Sequence, residues 1–345
     1  MSDMKSASVS LPVDDGWTEE DFRFAVREES IQTDEPIRGD SFMKVAVKRF
    51  VSKKTNMFGL ILLFVLILLS IIGPYLSGYG YNEQHLERAN MAPHIPLLAD
   101  GTENMNGNEG KIRINRYEEL GIDTYYLFGT DKFGRDLFSR CFMGLRISIL
   151  IALIATLINL AIGMNYGMIS GYIGGRTDSI MQRITDIFSS IPALVIVTLM
   201  MLILKPGFGA IILALMVTGW MEMSIVARVQ VLRLKDREFV LAARTLGAGR
   251  FFILSREILP NIMGPMMTEI MVLIPNAIFM ETFLSFVGLG MPVGSCSLGA
   301  LISAGFQNCL MHPYQLVPCV VLLVLLMIAC NLVGDGIRDA FEKKA

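Results

Sequence analysis

Charge is scarce in this sequence. Asp, Glu, Lys and Arg make up 18% of its 345 residues, where a soluble domain carries about 25%. Hydrophobic residues reach 53% and the mean hydropathy is +0.52, an excess that calls for a bilayer as solvent. A net charge of −2 excludes a nucleic-acid binder that works through bulk positive charge. Cysteine is sparse as well: Cys141, Cys296, Cys309, Cys319 and Cys330 include no C-x-x-C pair, and an odd count cannot complete a disulfide framework. Cys319 and Cys330 lie in an apolar run and read as small hydrophobes. Cys296 and Cys309 share one uncharged loop; pairing would need that loop to face an oxidising compartment, and free thiols are the expectation.

Catalytic signatures are missing too. The chain has no G-x-x-x-x-G-K-[ST], no H-E-x-x-H and no G-x-S-x-G. His85, His94 and His312 all fall between apolar runs, and Cys309-x-x-His312 is half a metal site without a partner pair. No catalytic residue, metal or cofactor is therefore expected on this chain.

Long uncharged runs dominate what is present. The first 44 residues form an acidic tail (Asp14, Asp15, Glu19, Glu20, Asp21, Glu28, Glu29) without the apolar core of a signal peptide. A basic run from Lys44 to Lys54 follows. Membrane-length segments are expected near Met57–Leu76, Ile147–Ile169, Ile184–Leu204, Gly209–Ala227, Ile258–Phe286 and Tyr314–Val333, since about 20 apolar residues span the hydrocarbon as helix. The expected fold is an all-α polytopic membrane protein with six transmembrane helices. Its parts are a tail (1–44), a first helix with a long external loop (45–141) and a core of five helices (142–345). Lys and Arg concentrate before the first crossing, at Arg176 and Arg183, from Arg228 to Arg256, and at Arg338 to Lys344, whereas Gly288–Pro313 holds none. By the positive-inside rule both termini are cytoplasmic; the loop 77–141 exceeds the length of about 60 residues at which that rule applies.

Two features carry functional weight. Glu222, Glu269 and Glu281 place carboxylates inside expected crossings, where charge faces a cavity or a polar helix interface. The stretch 236–260 reads as a short helix capped by Asp236, a turn at Gly247–Gly249, and a second helix entering the fifth crossing. Ala242 and Ala243 offer a flat face for close approach of another protein. Fixed to membrane helices at both ends, this segment suits transmission of force, or else lies as an amphipathic loop on the headgroups.

That stretch resembles the EAA loop of bacterial ABC importer permeases. Ala242, Ala243, Gly247, Leu259 and Pro260 fall on its E-A-A-x3-G and I-x-L-P pattern; Leu241 stands at the glutamate position, with Glu238 one turn earlier, and Glu257 at the isoleucine position. Phe128-Gly-Thr-Asp131-Lys-Phe-Gly134-Arg135-Asp136 resembles the F-G-T-D-x-x-G-R-D of the dipeptide and oligopeptide C-subunit branch. So do Ser170–Gly175, Arg183–Asp186, Phe283–Gly290 and Asn331–Asp339. The resemblance covers about residues 45–340.

It implies half of a heterodimeric peptide-import pore in the bacterial plasma membrane, with a second permease subunit, two ATPase subunits that hold ATP and Mg²⁺, and an extracytoplasmic binding protein. Coupling to the ATPase would run through Glu238, Ala242, Ala243, Gly247, Leu259 and Pro260. Other ligands of the same family, nickel or another metal complex, remain open. An ion-coupled secondary transporter is the more distant alternative; it would show internal repeats, and none is evident.

Overall fold

The computed structural model describes residues 42–341 apart from 96–98, 101, 108–109, 122–124 and 293–294. The expected acidic tail lies outside the described residues up to position 41. By contacts the chain divides into Met1–Lys44 and Val45–Ala345; the second unit holds everything below.

Five helices are long and apolar enough to cross a membrane, and a sixth crossing is a bent pair. α1 (Phe42–Ser52) turns the basic run into a short helix, and α2 (Lys54–Leu76) is the first crossing. α4 (Leu137–Ile173) is the second crossing; its 37 residues extend about 55 Å, well beyond the roughly 30 Å of hydrocarbon. The expected loop to position 141 therefore ends earlier. Asp136 starts the helix by accepting hydrogen bonds from the backbone N–H groups of Phe138 and Ser139 at 3.3 and 3.0 Å, an N-cap the apolar runs do not register.

The third crossing is not one rod. α5 (Gly175–Ser189) and α6 (Ala193–Ile203) meet at 78°. Pro192 disfavours helical geometry at Ile191 and has no N–H to continue the ladder. α7 (Phe208–Leu234) is the fourth crossing. α8 (Glu238–Thr245) and the one-turn α9 (Arg250–Phe252) follow. α9 runs through a wide turn at Ile253–Ile258 into α10 (Leu259–Val287), the fifth crossing, with Pro260 in its first turn. α11 (Leu298–Gln307) is short, and α12 (Val317–Phe341) is the sixth crossing.

The loop after α2 carries the only strands among the described residues, two short hairpins beside an otherwise helical chain. β1 (His94–Ile95) pairs antiparallel with β2 (Ala99–Asp100), and β3 (Thr102–Gly107) with β4 (Gly110–Asn115), before the one-turn α3 (Arg116–Glu119).

Two contact sets define opposite faces of the bundle. Lys53 pairs with Asp339 at 2.6 Å, so the start of α2 and the end of α12 share one face with α8. On the far face, Gln315 donates to Asn90 and to the Thr130 carbonyl at 2.9 and 3.1 Å. The bundle is held by close backbone approach as much as by bulk. On α4, Gly163, Gly167 and Gly171 recur every fourth residue, and a Cβ at each would run into the α7 backbone at Trp220, Ser224 and Arg228. Small residues at this spacing let two membrane helices pack backbone to backbone. Where α4 reaches the terminal face, Asp178 of α5 takes a two-point ion pair from Arg228 of α7, both contacts at 2.6 Å.

Candidate functional site

The segment between α7 and α10 is built from the inside out. In α8 only Val240 is fully buried, where it joins an apolar cluster with Val231 of α7, Ile253, Ile258 and Ile262. Burial of this one side chain fixes α8 to the base of two crossings. The first helix ends where glycine is required. Gly247 has φ +82°, a left-handed conformation cheap only for glycine. Its N–H donates to the Arg244 carbonyl and the Ala248 N–H to the Ala243 carbonyl, both at 3.0 Å; together these are the paired bonds of a Schellman cap. The Arg244 guanidinium lies over the Tyr172 ring at 5.7 Å, tying the turn to the end of α4.

Asp236 does not cap α8. It sits in the turn that leaves α7, the residue before the helix is Arg237, and no side chain caps this end. The tight turn after Lys235 consumes the position that local capping preference assigned to Asp236. Ala242 is exposed, whereas Ala243 is half-buried and packs on the apolar cluster. Successive helical residues point about 100° apart, so the two alanines do not form one flat face. Glu238 is exposed in the first turn, Leu259 is half-buried and Pro260 exposed.

What this segment shows outward is apolar. Leu246 is 88% and Phe251 84% exposed, with Phe239, Leu241 and Phe252 also exposed. These positions escape sequence reasoning that looks for alanine and glycine; large apolar residues flanking the Gly247–Gly249 turn are the signal for them. Arg237, Arg244 and Arg250 alternate with these exposed apolar residues along the segment.

The three intramembrane acids separate. Glu281 of α10 is fully buried and accepts from the hydroxyls of Ser148 (α4) at 2.8 Å and Ser285 at 2.9 Å. Ser148 also accepts from the Leu298 N–H at the start of α11, so this carboxylate knits three helices. Glu222 is exposed and lines a cavity between α4, α7 and α10. Glu269 is half-buried on α10. Glu281 thus belongs to an interface and Glu222 to a cavity.

On the far face the Phe128–Asp136 motif is a folded brace. Asp131 accepts from the Phe133 and Arg135 backbone N–H groups at 2.9 and 3.0 Å and from the Arg135 side chain at 2.7 Å. Thr130 accepts from the Met91 N–H and donates to the Arg88 carbonyl. Gly134 has φ +70° and runs against the His85 carbonyl, where no Cβ fits. Beneath it, Tyr79 stacks on Tyr126 at 4.5 Å, and Tyr117 donates to the Ala92 carbonyl at 2.7 Å. Burial pushes the Tyr117 phenol well above its ordinary range, which keeps it a donor. Among the described residues Cys296 and Cys309 are free thiols, and burial raises the Cys296 thiol.

Residues 163–345 match the family model described as binding-protein-dependent transport system inner membrane component, and residues 41–93 match the N-terminal TM domain of oligopeptide transport permease C. The chain is 38% identical to the oligopeptide transport system permease protein OppC of Bacillus subtilis (strain 168), over 88% of this chain and 90% of that one. It is 36% identical to the dipeptide transport system permease protein DppC of the same organism, over 88% and 86%. With OppC of Escherichia coli (strain K12) it shares 33% identity over 89% and 93%. A chain of the inward-facing MetNI methionine ABC transporter superposes with a TM-score of 0.49 at 19% identity, over 58% of this chain and 95% of that one.

Proposed function

This chain belongs to the family of binding-protein-dependent transport system inner membrane components, and from that premise we propose that it is a permease subunit of an ATP-driven importer of short peptides. The observation that carries the reading is length. The chain aligns over 86% or more of relatives named as oligopeptide and dipeptide permeases, at 36–38% identity in the first two. It forms half of the translocation pore in the bacterial plasma membrane, paired with a second homologous permease subunit, with both termini cytoplasmic. Two ATP-binding subunits hold ATP and Mg²⁺, and this chain holds neither. An extracytoplasmic binding protein delivers the peptide to the far face.

Coupling runs through the segment from Asp236 to Arg256. ATP binding draws the ATPase subunits together and moves α8 and α9 with them; hydrolysis releases them. Each nucleotide state favours one of two global conformations of the pore, which is what coupling means energetically. Three features support this: anchoring by Val240, the angle held at Gly247, and outward display of Leu246 and Phe251. A lipid-lying loop would need no such rigid turn.

The test is reconstitution of the full transporter with its ATPase subunits and binding protein. ATP-dependent accumulation of a labelled tripeptide, insensitive to a protonophore, is the expected result. Uptake of a nickel complex but no peptide would move the ligand assignment, and protonophore-sensitive uptake at constant ATP would overturn the ABC mechanism.

A further inference from the structure

α4, α7 and α10, with Ala193 of α6, line an open cavity of about 200 Å³ near the middle of their spans. Four polar side chains converge on it from the three helices: Asn159, Thr218, Glu222 and Asn276. No Lys, Arg or His is among its described lining residues. Glu222 lies midway along α7. A carboxylate at that depth calls for water, a cation or a ligand, and on this chain it is exposed and lines the cavity.

A second, independent observation concerns Asn159. It is 4% exposed, its Oδ1 accepts no hydrogen bond, and its Nδ2 reaches the Leu215 carbonyl only at 3.5 Å. Buried amide oxygens in native structures are paired; an orphan that lines a cavity awaits a donor. Gly219 brings α7 so close to Asn159 that any Cβ there would overlap the amide, so the side chain is held in place rather than free to turn away.

These groups define the ligand. One lining carboxylate with an amide oxygen and two further polar groups lacks the several oxygen ligands a hard metal ion demands. It matches a cation that carries its own N–H donors. The volume is below the roughly 300–1,000 Å³ of a site that encloses a whole small ligand, so it fits one end of a peptide. We propose that this cavity is a subsite on the translocation path for the free α-ammonium group of a peptide, with Glu222 as counter-charge and Asn159 Oδ1 as hydrogen-bond acceptor. The proposal rests on the peptide-import reading.

The experiment uses the assembled transporter in proteoliposomes with ATP and its binding protein, and compares initial uptake of a free-amino tripeptide with that of its N-acetylated form. The binding protein is the same in every arm, so a change in this ratio between variants originates in the membrane subunit. Glu222→Gln is expected to lower the free-amino preference about tenfold, the scale of one charge-assisted hydrogen bond; Glu222→Asp should keep most of it. Asn159→Ala should lower it by a smaller factor of about three. An unchanged ratio in a normally assembled Glu222→Gln transporter would overturn the subsite. So would failure of that variant to assemble, which would place Glu222 against the second permease subunit. Wild-type transporter that imports neither peptide under ATP would sink the importer reading itself.

Discussion

Replacing Gly247 by valine tests the turn that sets the angle between α8 and α9. The left-handed conformation at φ +82° costs an L-residue about 1–2 kcal/mol, with β-branched residues at the upper end. A Cβ at Gly247 would meet nothing within 4 Å, so the penalty is conformational and not a clash. Against it stand the two cap bonds at 3.0 Å, each worth about 1 kcal/mol net. Strain and bonding are therefore comparable, and the valine variant loses the fixed turn while the apolar crossings insert as before. If the ATPase contact depends on that angle, about 2 kcal/mol of lost preorganisation weakens it about 30-fold. The assay is co-purification of the ATPase subunits at graded concentrations, with ligand-stimulated ATP turnover in reconstituted membranes. Gly247→Asn is the control, since asparagine tolerates the left-handed region, and should retain most of the affinity. Wild-type affinity and turnover in the valine variant would make Asp236–Arg256 a passive surface loop.

Ala242→Glu should reduce ATPase co-purification with little change in melting temperature, because Ala242 is exposed, while Ala243→Glu should also lower the melting temperature by forcing charge against the Val240 cluster. Asp131→Asn leaves the buried Arg135 without its carboxylate; loss of one partner from such a pair costs about 3–5 kcal/mol, read as lower thermal stability of the solubilised subunit, and an unshifted melting curve would deny the brace its role. Glu281→Gln keeps an acceptor for Ser148 and Ser285 and should leave ATP-driven uptake partly intact, whereas Glu281→Leu strands both hydroxyls at about 1–3 kcal/mol each; uptake abolished by the glutamine variant in a folded protein would assign Glu281 an ionic role instead of packing.

The crossings were legible because an uncharged run of about 20 residues has few alternatives to a spanning helix. What the runs could not show is how helices bend and meet. Pro192 marks a break, but the 78° between α5 and α6 depends on what each half packs against. α1 hid in a basic run, where Lys44, Lys48, Arg49 and Lys53 mask a helix that buries Ala46 and sets Phe50 beside Gly336. Asp236 failed as a cap because capping preference is local and the exit from α7 took precedence. Gly247 succeeded because the requirement for positive φ is equally local. The Gly163, Gly167 and Gly171 stripe was readable in principle as small residues every fourth position. The cavity was not, since Asn159, Thr218 and Asn276 lie far apart in sequence and become neighbours only through the α4–α7–α10 crossing.

The apolar cluster under α8 gives that crossing a mechanical meaning. Val240, Ile253 and Ile258 at the terminal face belong to one packed set with Met223 of α7 and Leu273 of α10. Met223 follows Glu222 in the chain, and Leu273 lines the same cavity as Glu222. Under the proposed coupling, a displacement of α8 would reach the cavity walls through close-packed side chains, because interiors have few voids to absorb strain. α4 enters the same set through Met168 and is packed backbone to backbone on α7 along its glycine stripe, whereas Asn276 belongs to α10. Under the proposed coupling, motion that slides α10 against the α4–α7 pair would change the distance between Glu222 and Asn276 across the cavity more readily than that between Glu222 and Asn159. The proposed subsite, built across such a boundary, would grip its ligand in one state and release it in the other, which is the property alternating access requires of a binding point on the path.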